Sequence, residues 1–93
     1  MEIEFDPKKS AKNGADRGLP FEAVAKLEWN KAFVSEDRRR DYGEDRLIAL
    51  VPMNGRLYVV CYVIRGDKRR VFSFRKANKR EEKAYAEATT PNK

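Results

Sequence analysis

The sequence predicts an α+β domain: an N-terminal strand and two helices, then an antiparallel β-meander, then a C-terminal helix. Three observations carry this expectation. Asn54-Gly55 joins two apolar runs, Leu47 to Met53 and Leu57 to Ile64, which is the strongest two-residue hairpin signal. Helix-starting and helix-stopping residues bracket a polar segment near the N-terminus. A capping-box pair opens a helix after the last strand. Strands in one run with helices before and after are segregated, as in α+β folds.

Taken in order, Ile3 and Phe5 alternate with acids and suggest a short first strand. Asp6 offers an N-cap carboxylate and Pro7 the favoured first helical position. A helix from about Pro7 to Arg17 follows, and Gly18 closes it in the left-handed conformation. A second helix is expected from about Pro20 to Trp29, with Phe21, Val24, Ala25 and Leu27 on one side. Ala32 to Ser35 is a candidate strand, and Ser35 to Asp45 reads as a polar loop. In the hairpin's second strand Leu57, Val59, Cys61 and Val63 line one face and Tyr58, Val60, Tyr62 and Ile64 the other. A strand apolar on both faces belongs inside a sheet. Gly66-Asp67 makes the next turn, and Arg69 to Lys76 is the last strand. Strict alternation sends Phe72 and Phe74 to one face and Arg69, Val71, Ser73 and Arg75 to the other. Asn78 and Glu81 start a helix reaching about Ala88. Residues 1–88 form one domain, and the tail 89–93 is expected to be disordered.

Ninety-three residues hold a single core, marginally stable alone. The acidic opening lacks the basic-then-apolar pattern of a secretion signal, and the longest apolar run is too short for a bilayer. One cysteine excludes an internal disulfide, so a cytoplasmic location is expected, with no membrane contact. The chain carries 21 basic and 15 acidic residues, net charge +6. Between Arg65 and Lys83 lie nine basic and three acidic residues, while elsewhere twelve balance twelve. The whole surplus falls in one segment, as a surface facing phosphates requires. Solvated strand and helix faces are the alternative.

Several chemistries are excluded. Without histidine and with one cysteine there is no zinc site, no Cys/His or Ser/His/Asp nucleophile, and no Gly-rich phosphate loop. No metal or other cofactor is expected. Cys61 reads as a small buried hydrophobe, and Trp29 as a core-closing residue or a partner anchor.

Three local patterns resemble the BrnT toxin family. Phe5-Asp6-Pro7, Lys9, Asn13, Gly18, Phe21 and Glu22 are similar to its aromatic-Asp-Pro opening and the spacing that follows. Gly43-Glu44-Asp45-Arg46 leading into Gly55 to Val60 is similar to its hairpin. Phe72-Ser73-Phe74-Arg75-Lys76-Ala77 before Glu81 and Tyr85 is similar to its ending. The resemblance implies a RelE-like fold and a metal-independent ribonuclease activity that halts translation. It also implies neutralisation by a cognate BrnA-like antitoxin, through which the pair reaches operator DNA. Where the family usually carries Lys-His-Gly, this chain has Asp16-Arg17-Gly18, so the family's proton shuttle is absent.

RNA cleavage by internal attack needs a base for the 2′-hydroxyl, cations for the phosphorane and an acid for the leaving oxygen. Without histidine, nothing titrates near neutrality unperturbed. Positioning and charge must then carry most of the rate. Arg75, on a supported strand, is the expected phosphate clamp, with a surface ion pair as the alternative. Arg80 and Lys79 open the last helix, where the backbone N–H groups add positive potential. Tyr85 is read as an acid, a stacking platform or a ring packed on the sheet, and Glu81 as a cap rather than a base. Lys9, Asn13 and Arg17 share one helix face, and Arg17 keeps only the electrostatic half of the missing histidine's role. Arg69 and Lys76 complete the expected RNA contacts. Arg38-Arg39-Arg40 reads as a solvated loop, or as a contact for RNA or an acidic antitoxin segment. Two further readings remain: a catalytically silent module that binds antitoxin or RNA, favoured by the absent histidine, and a plain basic nucleic-acid-binding domain without a toxin's partner.

Overall fold

Five strands, mutually hydrogen-bonded, account for most of the chain's apolar burial. The computed structural model describes residues 2–38 and 43–90. The elements are β1 (Glu2–Phe5), α1 (Pro7–Arg17), β2 (Phe33–Glu36), β3 (Arg46–Met53), β4 (Arg56–Arg65), β5 (Lys68–Lys76) and α2 (Lys79–Thr89), with two 3₁₀ segments, Phe21–Lys26 and Trp29–Lys31. The sheet order is β1-β5-β4-β3-β2. The meander β2 to β5 is antiparallel, and β1 joins its far edge parallel to β5, so the sheet is mixed. No helix among the described residues is long and apolar enough to cross a membrane.

Local chemistry explains the element ends. The Asp6 side chain accepts from the Lys8 N–H at the start of α1, and Gly18, at φ 70°, donates to the Asn13 and Gly14 carbonyls at its end. Asn54 and Gly55 both take positive φ (51° and 80°), the two-residue turn that matches strand twist. At α2, Asn78 accepts from the Glu81 N–H while Glu81 accepts from the Asn78 N–H, a complete capping box.

The expected second helix is the main correction. In its place stand the two 3₁₀ segments, with Leu27 between them in extended conformation. The buried residues Phe21, Val24 and Leu27 recur every three positions, and side chains three apart eclipse in a 3₁₀ turn. Beyond Leu27 the chain is drawn onto the β3–β4 hairpin. The Glu28 N–H donates to the Pro52 carbonyl at 2.9 Å, and the Glu28 carboxylate accepts from the Asn54 N–H at 3.0 Å. An α-helix continuing through residue 29 would forfeit both bonds. The strand expected at 32–35 is present one residue later, as β2.

The second correction concerns β5. Cys61 pairs with Ser73 but Tyr62 with Val71, so Phe72 is an extra residue, a β-bulge. The bulge reverses the alternation. Val71 and Phe74, not Phe72 and Phe74, share the main core with Tyr58, Val60, Tyr62, Ala49 and Val51. Phe21, Val24 and Leu27 cover that face. The opposite face is thinly covered: Leu50, Leu57 and Val59 pack with Ile48, Cys61, Ala77 and the Tyr85 ring of α2. β4 is thus apolar on both sides, as its sequence requires, and Cys61 is partly buried on the second. α2 contributes no fully buried side chain.

Candidate nucleic-acid interface

β1 pairs only with Lys68 to Val71, which leaves the outer edge of β5 unpaired from Phe72 to Lys76. α1 runs along that open edge. Four helical residues rise about 6 Å, close to the advance of two strand residues. The stripe Lys9, Asn13, Arg17 therefore keeps step with Phe72, Phe74 and Lys76. Asn13 makes the contact, its amide donating to the Phe74 carbonyl at 2.9 Å and to the Leu19 carbonyl at 2.6 Å. It satisfies an orphaned strand acceptor from inside the fold. On either side of it the two cations stay exposed. Arg17, Leu19 and Lys76 line a hollow of about 200 Å³. Lys9 borders a larger one, about 340 Å³, lined among the described residues by Glu44, Arg46, Val63, Arg65, Arg70 and Phe72.

Arg75, at the inner end of this band, is engaged. Its two terminal nitrogens donate to the two oxygens of Glu81 at 2.8 and 2.7 Å, and one also reaches the Lys76 carbonyl at 3.3 Å. Only Ala77 and Asn78 separate β5 from α2, so the capping residue Glu81 faces back to the strand. The hydrogen-bonded Glu81 raises the Arg75 pKa above its ordinary value, and Arg75 in turn holds the Glu81 carboxyl below the usual glutamate range. Lys79 and Arg80, beside this pair in the first turn of α2, are exposed.

The other expected site residues are scattered. Tyr85 packs its ring on the second face, and its hydroxyl donates to the Lys31 carbonyl at 2.6 Å, anchoring α2 across the sheet. Arg69 lies on the opposite face, its guanidinium 3.8 Å above the Trp29 ring and 5.5 Å from Tyr62. Arg38 pairs with Glu36 at 2.6 Å in solvent, while Arg39 and Arg40 lie outside the described residues. Lys9 and Arg17 thus lie on the α1 face beside the open edge of β5, Lys76 shares a hollow with Arg17, and Lys79 and Arg80 follow in the first turn of α2, while Asn13 and Arg75 are engaged within the fold. Arg69 stands apart.

Residues 5–81 match a family described as the ribonuclease toxin, BrnT, of type II toxin–antitoxin systems. The chain belongs to the BrnT family. The match starts at the last residue of β1, takes in α1 and the meander, and ends at the capping residue Glu81. Among curated proteins no relative matches the chain. BrnT proteins are ribonuclease toxins of type II toxin–antitoxin systems, so an antitoxin partner is implied.

Sequence reasoning missed Arg46, Arg65, Arg70 and Phe72, the residues that turn the 340 Å³ hollow into a cationic pocket. Arg65 and Arg70 fall in the segment visible as basic, but Arg46 comes from β3, outside it, and the β5 bulge that sorts Arg70 from Arg69 leaves no mark in composition. In this BrnT chain Glu81 is a poor general base, because a carboxylate stabilised by Arg75 and the Asn78 N–H holds its proton weakly. What the arrangement does offer is fixed positive charge on a rigid strand and helix, the requirement for stabilising a phosphorane.

Proposed function

We propose that this BrnT toxin is a metal-independent endoribonuclease that acts in the cytoplasm, cleaves RNA to stop translation, and is silenced by a BrnA-like antitoxin. Operator DNA is reached indirectly, through that antitoxin. What supports the reading is that Lys9 and Arg17 on α1, Lys76 at the end of β5, and Lys79 and Arg80 in the first turn of α2 are all exposed, with Arg17 and Lys76 lining one hollow. In the reaction the 2′-oxygen attacks phosphorus and gives up its proton, and the 5′-oxygen leaves and gains one. Arg17 and Arg80 stabilise the phosphorane, and Lys9, Lys76 and Lys79 hold the flanking phosphates. Arg75 acts by position: by gripping Glu81 it fixes the first turn of α2, which carries Arg80, to the end of the strand. Tyr85 anchors the same helix through Lys31. Asn13 and Arg69, both engaged inside the fold, support the surface rather than touch RNA.

The test is cleavage of a single-stranded RNA by purified protein in excess EDTA. The expected products end in 2′,3′-cyclic phosphate, and Arg17→Ala and Arg80→Ala each lower the rate by about 10²-fold or more, the scale for removing one preorganised charge donor. No cleavage in EDTA, with cleavage restored by magnesium, overturns the metal-independent mechanism. A second reading is favoured by one observation. The Arg75 fork is already closed on Glu81 in a chain with no histidine, which suits a silent module that binds antitoxin or RNA without cutting. Unimpaired growth on verified soluble expression, with antitoxin binding intact, selects it.

A further inference from the structure

We propose that the hollow around Phe72 is a nucleotide subsite, in which a base of single-stranded RNA extends the stack of Phe72 and Arg46 while Arg70 and Arg65 hold its phosphate. The subsite rests on the ribonuclease reading for its ligand, but its test is independent of cleavage. Four geometric facts support it. First, the bulge in β5 removes Phe72 from the core and leaves it only partly buried on the thinly covered face. An aromatic ring withheld from the core beside charged residues is what base recognition uses. Second, the Arg46 guanidinium lies over the Phe72 ring, 4.8 Å from its centroid, so the two already make a stack that a base can extend on an uncovered plane, since bases stack on either kind.

Third, among the described residues the lining carries four basic side chains, Lys9, Arg46, Arg65 and Arg70, against one acid, Glu44. Arg65 meets Glu44 at 3.6 Å and Arg70 meets Glu4 at 3.5 Å, with every one of these side chains about a third exposed or more. Charge-assisted hydrogen bonds run closer to 2.8 Å. These are loose contacts that keep the arginines nearby without saturating them, in contrast to the closed Arg75–Glu81 fork. Fourth, at about 340 Å³ the hollow has the volume of a small-ligand site, and Lys9 links it to the stripe leading to Arg17. A strand bound along α1 thus meets a base site at one end and the proposed cleavage cations at the other.

The experiment measures binding of a fluorescent 2′-O-methyl 12-mer, which cannot be cleaved, and of the same 12-mer with its bases removed. Phe72→Leu, which keeps an apolar side chain but no ring, is expected to weaken binding of the base-bearing strand by about 5- to 150-fold, the range for stacking one base. It leaves the abasic strand unaffected, and Phe72→Tyr restores wild-type affinity. Arg70→Gln lowers the slope of log K against log salt by about 0.7, one phosphate contact on a single strand. Thermal melting of each variant shows that the fold persists. Equal affinity of Phe72→Leu and wild type for the base-bearing strand, or equal losses on both strands, overturns the subsite. A wild-type protein that leaves cleavable RNA intact but shows the Phe72-dependent difference overturns the ribonuclease reading and keeps the subsite.

Discussion

Breaking the Arg75–Glu81 fork separates a structural arginine from a catalytic one. The pair makes two short charge-assisted hydrogen bonds, with side chains 35% and 24% exposed. Hydrogen bonds to charged groups contribute about 1.5–3 kcal/mol when shielded, while fully exposed ion pairs contribute about 0.2–1 kcal/mol. A fork with a third of its arginine in water falls between, so we expect a coupling of about 1–2 kcal/mol. The variants are Arg75→Met, Glu81→Gln and the double, with Gln chosen because it still accepts the Asn78 N–H and preserves the capping box. Urea unfolding at neutral pH reads the cycle, and with a slope of about 1–1.5 kcal/mol per molar the coupling amounts to roughly 1 M in midpoint. The dependence on pH has a definite sign. Because Glu81 titrates below its unfolded value, its stabilisation is complete above the ordinary glutamate range and disappears as pH falls through the lowered pKa. The gap between wild type and Glu81→Gln therefore closes on acidification. A coupling under about 0.3 kcal/mol, or a gap that widens in acid, refutes the reasoning.

Other outcomes follow from the same geometry. Asn13→Ala strands the Leu19 and Phe74 carbonyls and is expected to cost about 1–3 kcal/mol, visible as a melting temperature lower by several degrees; unchanged melting with lost RNA affinity would make Asn13 an RNA ligand instead. Phe74→Ala empties a fully buried position of the main core, at about 3–5 kcal/mol, and circular dichroism at 37 °C is expected to show substantial unfolding. Gly18→Ala forces a left-handed backbone at φ 70° onto a residue with a Cβ and costs about 1 kcal/mol, measured by thermal melting. If the chain cleaves RNA, its kcat/KM profile lacks the step near pH 6.5 that a histidine produces; a bell centred there would mean that a strongly perturbed lysine, tyrosine or carboxylate takes the histidine's place.

The elements that were legible in the sequence are those decided by neighbours in the chain. The Asp6-Pro7 start, the Gly18 stop, the Asn54-Gly55 turn and the Asn78/Glu81 box are local hydrogen-bond problems with few solutions, and β4 announces its burial on both faces by its composition alone. The segment after Pro20 reads as α-helix because Phe21, Val24 and Leu27 would still fall within about 120° of one another on a 3.6-residue helix, an ordinary core-facing stripe. What decides for the 3₁₀ form is a distant partner, the hairpin that accepts and donates at Glu28. The fate of Arg75 had the same ambiguity: a carboxylate six residues ahead is visible, but whether it caps the helix, pairs with the strand or does both depends on how tightly the two-residue connection bends. Here it does both.

The cationic pocket is the least legible feature, and parity is the reason. Side chains alternate along a strand with period two, so one inserted residue exchanges the faces of everything beyond it. Without the bulge, Arg69, Val71, Ser73 and Arg75 would share a face, and Arg70, Phe72 and Phe74 would share the other. With the bulge, Arg69 and Val71 join Phe74 on the core side, where Arg69 caps Trp29, and Arg70 joins Ser73 and Arg75 on the opposite face. Two adjacent arginines of equal charge thus receive different tasks, one covering an indole and one lining a pocket. Composition counts both alike, and the extra residue at position 72 selects which of them faces the open side.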